Sequence, residues 1–324
     1  MLRIVLSVAI GTVVLAAEAQ TKANAQSWPQ RPVRIVVPSP PAGGTDIVAR
    51  VMADHFSKAF KQQFFVENRP GAGNMIGIES VARAANDGYT FLMTASTLSL
   101  NSVLYKKVSY DPIKDFAPIT LAAKAPNVLI VNPSVPAKTL PEFIALAKAQ
   151  PGKLTYGTPG IGTSPHMCME LFKSMAGVDL QHIPYRGTVP ALTDVMSGQI
   201  NAMFSTALSA KPQIEAGKVR AFGVSTATRS GSMPDIPPIA EAGVPGYEAV
   251  QWYGFLAPAG TPAAIITQIH AESMKALHST EMKEKLAHDG AEPSPTTPEA
   301  FAAHIRDELE KWRKVAKAAG IEPQ

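Results

Sequence analysis

Four glycine-bearing turns are the parts of this sequence whose residue types suit binding chemistry. They span residues 41–46, 71–74, 158–163 and 186–188, and each follows a predicted strand and leads into a predicted helix. Glycine lets backbone N–H groups approach an anion, and a helix N-terminus adds a partial positive charge. Strand-to-helix turns also favour glycine for structural reasons alone, but two pairs of such turns, one pair in each half of the chain, favour a carboxylate site.

Enzymatic functions have less support in the sequence. Residues 71–77 form a G-x-G-x-x-x-G string, but the next predicted strand ends in Thr94-Ala95-Ser96, without the acidic residue that would hold the ribose of a dinucleotide. No G-x-S-x-G, H-E-x-x-H or P-loop motif occurs, and no Cys/His spacing predicts a metal site. We expect a protein that is not an enzyme, with no catalytic residue, metal or cofactor. An NAD(P)-dependent oxidoreductase is the less favoured alternative.

The elements that must position these turns begin with alternating strands and helices. The predicted strands are 33–37, 64–66 and 89–94, and the predicted helices are 45–60 and one that ends near residue 85. Thr45 or Asp46 is expected to be the N-cap of the first helix. This order predicts an α/β fold with mainly parallel sheets and helices on both faces.

The same pattern recurs in the middle of the chain. Further strands are predicted at 154–156, 180–184, 200–204 and 219–225, and helices at 165–175 and 190–196. A Pro- and Gly-rich connector, 226–247, leads to a strand at 250–256 and to helices at 263–277 and 298–319. We predict a signal peptide followed by two lobes with a ligand cleft between them. Residues 27–123 and 247–324 form the first lobe, and residues 124–246 form the second.

The first residues predict secretion. Arg3 precedes an apolar run at 4–17 that is too short for a comfortable membrane span, and Ala23-Asn24-Ala25 is a small-residue cleavage site. We therefore predict a cleaved signal peptide at residues 1–25, with 17–19 as an alternative cleavage site. The expected location of the mature protein is the periplasm.

Composition excludes several classes of partner. Hydrophobic residues make up 46% of the chain and charged residues 17%, which fits a globular protein. The formal charge of +4 comes without a Lys/Arg cluster that could follow a phosphate backbone, so no nucleic acid partner is expected. The single cysteine, Cys168, cannot form an intramolecular disulfide, and its apolar helical surroundings predict core packing. We expect a monomer.

Four ordered motifs make the sequence similar to one family. They are PAGGTD at 41–46, ENRPGAGN at 67–74, YGTPGIGTSPH at 156–166 and HIPYRG at 182–187. They resemble the Bug family, the periplasmic substrate-binding subunits of tripartite tricarboxylate transporters, over nearly all of the mature chain. The resemblance implies two α/β lobes that close on a small di-, tri- or aromatic carboxylate, with integral-membrane transporter subunits as partners. A ligand-sensing binding protein that serves a membrane sensor is the alternative that stays open.

The resemblance also implies which residues contact the ligand. They are Ala42, Gly43, Gly44, Thr45, Asp46, Gly73, Thr94, Ser96, Thr158, Gly160, Gly162, Thr163, His166, Arg186, Ser205 and Thr206. Asp46 is expected to cap its helix and to position the loop and a water, because a bare carboxylate would repel an anion. Arg186 pairs either with the ligand or with an acidic side chain. His166 is expected to be a structural hydrogen-bonding residue.

Two further positions need the structure to interpret them. Asn74 stands where the Bug family usually has a glycine, which could change how its loop approaches a ligand. Trp252 and Tyr253 either flank an aromatic ligand or belong to the core.

Overall fold

Two separate sheets organise the part of the chain that the structure, a computed structural model, describes: residues 28–41, 44–185, 187–288 and 290–323. Their strands are β1 (Val33–Val37), β2 (Phe64–Asn68), β3 (Thr90–Ala95), β4 (Phe116–Ala125), β5 (Asn127–Val131), β6 (Thr155–Thr158), β7 (Gln181–Pro184), β8 (Ala202–Thr206), β9 (Arg220–Val224), β10 (Gln251–Pro258) and β11 (Glu292–Pro293). The predicted signal peptide and the predicted ligand residues Ala42, Gly43 and Arg186 lie outside the described residues.

Helices connect these strands. They are α1 (Gly44–Phe60), α2 (Met75–Ala82), α3 (Thr97–Leu104), α4 (Leu140–Ala149), α5 (Ser164–Ala176), α6 (Thr188–Ser197), α7 (Ala207–Glu215), α8 (Ile239–Ala242), α9 (Ala263–His278), α10 (Thr280–His288) and α11 (Pro298–Ala318). Helix α8 lies within the predicted connector 226–247.

The first sheet has the strand order β11-β4-β10-β3-β1-β2. β1 pairs in parallel with β2 and β3, whereas β10 runs antiparallel between β3 and β4. The carboxyl ends of β1, β2 and β3 therefore lie side by side, and the turns that follow these strands are neighbours.

The second sheet has the order β7-β6-β8-β5-β9. β6 pairs in parallel with β7 and β8, and β5 runs antiparallel to β8 and β9. The carboxyl ends of β6, β7 and β8 are thus also adjacent. The chain passes from the first sheet to the second at Pro126, between β4 and β5.

The predicted α/β fold class is confirmed. Helices α1, α9 and α10 pack on one face of the first sheet, and α2, α3 and α11 pack on the other. Helices α4 and α5 cover one face of the second sheet, and α6 and α7 cover the opposite face. Most described strands of each sheet point the same way; β5, β10 and β11 are the exceptions. The lobe boundaries at 123/124 and 246/247 stay a prediction.

Helix α11 contacts the cores of both sheets. Ile305 and Leu309 pack against the first sheet, whereas Trp312, farther along the helix, packs in the core of the second. On the same helix, the buried carboxylate of Glu308 accepts hydrogen bonds from the indole N–H groups of Trp252 (3.2 Å) and Trp312 (2.7 Å). This helix therefore ties the two halves of the molecule together.

Cys168 lies in α5 and is buried in the core of the second sheet, as predicted. Burial raises the pKa of its thiol to about 12, so the sulfur stays protonated and unreactive. Among the helices of the described residues, none combines the length and the apolar character that a membrane span requires.

Candidate functional site

The turn after β1 is held in place by Asp46. Its carboxylate accepts hydrogen bonds from Nε of Arg50 (2.8 Å) and from Nδ2 of Asn68 (2.9 Å), and Asn68 also donates to the backbone carbonyl of Ser39 (3.0 Å). Asp46 is 2% exposed, so its charge is paired inside the protein rather than presented to a ligand. This supports the expectation that Asp46 positions the loop.

The capping prediction for this helix is wrong. α1 begins at Gly44, so Thr45 and Asp46 lie within its first turn and neither is the N-cap. An acidic side chain in this turn still interacts favourably with the N-terminus of the helix.

Gly44 faces Tyr253 from β10. A Cβ atom at Gly44 would collide with the Tyr253 hydroxyl, so only glycine fits without a shift. Trp252 is fully buried, and its indole N–H donates a hydrogen bond to the carboxylate of Glu308. It therefore belongs to the core and does not flank a ligand. Tyr253 is also buried, yet it reaches the turn at which the ligand was predicted.

The turn after β2 has a run of left-handed backbone conformations. Gly71, Ala72, Gly73 and Asn74 have φ values of 129°, 47°, 62° and 75°. Asparagine is among the few residues that adopt this region readily, which explains why Asn74 can replace the family's glycine. Nδ2 of Asn74 donates to Oγ1 of Thr97 (3.2 Å), so the side chain also ties the turn to α3.

The turn after β6 is stabilised by its own polar groups. The Gly162 N–H donates to Nδ1 of His166 (3.1 Å), and the Thr163 hydroxyl donates to the Gly160 carbonyl (2.8 Å). Gly160 and Gly162 have φ values of 146° and 76°, conformations in which a side chain is strained. Thr158, at the end of β6, is fully buried.

His166 lies buried beside this turn and stabilises it through the Gly162 hydrogen bond. It is 4% exposed, and its ring stacks on that of His182 at 4.4 Å, while Nε2 of His182 hydrogen-bonds to Oγ1 of Thr158 (2.7 Å). Burial, and secondarily the His182 ring, lower the pKa of His166 to about 4, and burial also lowers the pKa of His182. His166 is therefore neutral near pH 7 and can accept the Gly162 hydrogen bond.

Helix α5 presents its N-terminus at the same turn. Thr163 is the N-cap residue, but its side chain makes no capping hydrogen bond and bonds to Gly160 instead. Pro165 supplies no N–H to the first turn, and the N–H groups of Thr163 and Met167 donate to the carbonyls of Gly160 and Thr163, so Ser164 and His166 supply the N–H groups that have no side-chain cap at the positive end of this helix of 13 residues. Such an end is suited to a carboxylate.

Four predicted hydroxyl residues lie at or next to strand ends. Thr94 Oγ1, in β3, and Ser205 Oγ, in β8, are buried and have no hydrogen-bond partner among the described residues. Thr206 bonds to Ser209 (3.1 Å), and Ser96 is the N-cap residue of α3. Buried hydroxyls without a partner are uncommon and require an explanation.

A cavity of about 240 Å³ lies between the two lobes. Its lining residues are Gly73, Asn74, Thr97, Asn101, Leu104, Tyr105, Ile161, Gly162, Thr163, Ile321 and Glu322. Of the predicted ligand residues, it brings Gly73 from the first lobe together with Gly162 and Thr163 from the second. The other predicted ligand residues that the structure describes do not line this cavity. They are Gly44, Thr45, Asp46, Thr94, Ser96, Thr158, Gly160, His166, Ser205 and Thr206.

The sequence interpretation missed the contribution of α3 to this cavity. Thr97, Asn101, Leu104 and Tyr105 come from this helix or follow it directly, in a segment without glycine or any motif. The signal that could have found this helix face is the i, i+4, i+7 spacing of Thr97, Asn101 and Leu104.

Comparisons with known proteins agree with this architecture. Residues 48–321 match TctC, described as "Tripartite tricarboxylate transporter family receptor". The chain is 38% identical to R. palustris Rpa4515 with adipate, with a TM-score of 0.78 over 92% of this chain and 100% of that one. It is 34% identical to the periplasmic binding protein BugD, with a TM-score of 0.74 and the same coverage. It is 32% identical to MatC from Rhodopseudomonas palustris with bound malate, with a TM-score of 0.73 over 89% and 99%.

Proposed function

Because this chain belongs to the tripartite tricarboxylate transporter receptor family, TctC, we propose that it captures a small carboxylate between its lobes and delivers it to a membrane transporter. Residues 1–25 direct it to the periplasm, where BugD, one of its relatives, also belongs. Its partners are the ligand and the membrane subunits, and the protein performs no catalysis.

The single observation that carries this proposal is the meeting of two turns across the cavity. The turn after β2 and the turn after β6 belong to different sheets, yet both line the same space. The second of these turns ends at the N-terminus of α5, which lacks a side-chain cap. A ligand carboxylate at this end accepts hydrogen bonds from backbone N–H groups, each contributing about 1.5–3 kcal/mol for a charged acceptor.

Capture follows from contacts that exist together only when the lobes are closed. The first lobe supplies the turns at 41–46 and 71–74, and the second supplies the turn at 158–163 and Arg186. A ligand that touches both lobes shifts the population towards the closed form. The membrane partner then recognises the closed form. The unpartnered hydroxyls of Thr94 and Ser205 are additional donors for the ligand or for waters that accompany it.

Thermal unfolding with a panel of acids tests the proposal. The mature, ligand-free protein is heated with mono-, di- and tricarboxylates, both aliphatic and aromatic, and with NAD and sugars as controls. A ligand at about 100 times its Kd stabilises the protein by about 2.7 kcal/mol, which raises Tm by several degrees. We expect a selective rise with one class of carboxylate. A rise with NAD alone, or with none of the acids, would contradict the proposed function.

A further inference from the structure

We propose that a surface groove between α11 and the end of α3 docks an acidic, partly apolar segment of a protein partner. The groove has a volume of about 660 Å³, and residues of α11 line one side of it while residues 102–114 line the other. It is separate from the ligand cavity, and its occupant does not depend on the identity of the ligand.

Three cations that line the groove have no acidic partner. Lys106 follows α3, and Arg306 and Arg313 belong to α11; all three are exposed. None of their side chains makes a hydrogen bond or an ion pair with another residue that the structure describes. Arg306 and Arg313 are two helical turns apart, so their Cα atoms lie roughly 10 Å from each other on one face of α11.

The acidic side chains of the groove are already paired. The Glu310 carboxylate accepts a hydrogen bond from Nζ of Lys314 (2.6 Å). The Asp111 carboxylate lies 3.4 Å from Nζ of Lys114 and also accepts hydrogen bonds from the backbone N–H groups of Ile113 and Lys114. The charges of Lys106, Arg306 and Arg313 therefore stay unbalanced on both sides of the groove.

Apolar side chains form the floor between these cations. Tyr110, Pro112 and Leu309 line the groove and are buried, and Ile113, beside them, is 41% exposed. An extended segment in which acidic and apolar residues alternate presents one kind of side chain to each of its faces. Its apolar face fits the floor, and its carboxylates fit the guanidinium groups of the two arginines, which bind carboxylates in a bidentate manner.

The shape of the groove favours a peptide over an anionic membrane surface. The cations stand on two sides of a depression, which a single chain segment can enter and a flat bilayer cannot. Folding brings these cations together from residues 106–114 and 306–313, so the sequence itself shows no Lys/Arg cluster.

The groove also adjoins the ligand cavity. Tyr105 lines both of them, and α11 contacts the cores of both sheets. A partner held in the groove therefore contacts a side chain that borders the cavity and a helix that joins the two lobes.

Fluorescence anisotropy with a labelled peptide tests the docking surface. The probe is a short peptide in which glutamate alternates with leucine. One control peptide has lysine in place of glutamate, and the other has serine in place of leucine. We expect the mature protein to bind the probe, less tightly as salt is added, and to bind each control at least tenfold more weakly. Failure to bind the probe, or equal binding of the lysine peptide, would overturn the inference and leave carboxylate capture untouched.

Charge reversal tests the place. Arg306→Glu combined with Arg313→Glu should lower the affinity for the probe at least tenfold. Lys211→Glu combined with Lys218→Glu changes the net charge by the same amount at exposed positions of the second lobe and should change the affinity less than twofold. Both proteins should keep the parent's Tm and its affinity for the acid that the panel identifies. Equal losses of probe binding would show that the peptide follows net charge, which contradicts docking in the groove.

Two further measurements test the apolar contact and the lipid alternative. Ile113→Ser should weaken binding of the glutamate–leucine probe and leave the glutamate–serine control unchanged; equal effects on both peptides would remove the apolar contact from the proposal. Sedimentation with vesicles that contain phosphatidylglycerol should not retain the protein. If the vesicles bind the parent, and the Arg306→Glu, Arg313→Glu protein does not bind them, the groove serves a membrane surface and the peptide assignment is wrong.

Discussion

The hydrogen bond between Gly162 and His166 makes the shape of the turn after β6 depend on a neutral imidazole. Nδ1 of His166 accepts from the Gly162 N–H, and a ring protonated at this atom cannot accept. The groups that face this ring and its stacked neighbour His182 include Glu170 and Lys173, whose opposite charges act in opposite directions. Burial therefore decides the outcome and keeps the ring neutral at pH 7.

The free energy of unfolding should decrease as the pH falls, because of His166. Its pKa is about 4 in the folded protein and about 6.5 when unfolded, so the unfolded state binds more protons below pH 6.5. The stabilisation, roughly 3 kcal/mol by that difference, is complete above pH 6.5 and is lost as the pH falls towards 4. Urea unfolding between pH 7.5 and 4.5 should show a steeper loss for the parent than for His166→Gln. Parallel pH profiles would contradict the assignment.

Gly162 and Gly177 offer a matched test of the turn before α5. Both have positive φ values, 76° and 63°, at the two ends of α5, but a Cβ atom at Gly177 has no neighbour within 4 Å. Alanine at either position should cost about 1–2 kcal/mol of stability. Only Gly162→Ala should also weaken binding of the acid identified by the panel, by at least tenfold, because contact with Leu104 displaces the N–H donors. Calorimetry checks this, and equal affinity of both variants would exclude the turn from the site.

Two ion pairs on helix α1 have the same spacing but differ in burial, in their cation and in what they anchor. Asp46 pairs with Arg50 and is buried, whereas Asp54 pairs with Lys58 at the same spacing on the exposed side. Asp46→Asn leaves the Arg50 and Asn68 donors without their shared carboxylate, and should cost about 1–3 kcal/mol in urea unfolding. Asp54→Asn should cause no measurable change, because exposed pairs contribute little. Equal effects would show that Asp46 does not anchor the loop.

The elements that sequence patterns predicted well are those with a clear local signal. β1, β3 and α5 carry β-branched or apolar runs bounded by turn residues, and the structure has them within a few residues of the predicted bounds. β4 was missed because FAPITLAAKA is alanine-rich and contains Pro118, so its strand depends on pairing with β10. β5 was missed although the run NVLIV between two prolines gave a usable signal.

The candidate site was only partly predictable for a related reason. Motifs identified the turns at 71–74 and 158–163, but the cavity between them also needs Asn101, Leu104 and Tyr105. No spacing in the sequence shows that α3 of one lobe packs against a turn of the other. This contact is created by tertiary packing, which joins positions about 60 residues apart.

At the scale of the whole molecule, α3 and α11 join the two halves. Leu100 and Leu104 of α3 and Trp312 of α11 pack in the core of the second sheet, although both helices cover the first. The second core therefore includes side chains that the first lobe supplies. The two lobes share apolar surface and should not unfold independently.

A single unfolding transition is the expected result. Calorimetry of the mature protein should give one peak with equal calorimetric and van't Hoff enthalpies. Trp312→Ala removes about 3–5 kcal/mol of packing from the shared surface and should split the peak or add a shoulder. Two resolved peaks in the parent protein would contradict this coupling.

The position of β10 fixes an order of events during synthesis. The second sheet uses strands from one continuous stretch, β5 to β9, whereas the first sheet needs β10 between β3 and β4. Until that strand is available, β3 and β4 each have an edge without its final neighbour, and such edges are prone to wrong pairing. The first sheet is therefore the first to be started, yet it stays incomplete until the last quarter of the chain is available, and the core of the second sheet waits for Trp312 of α11.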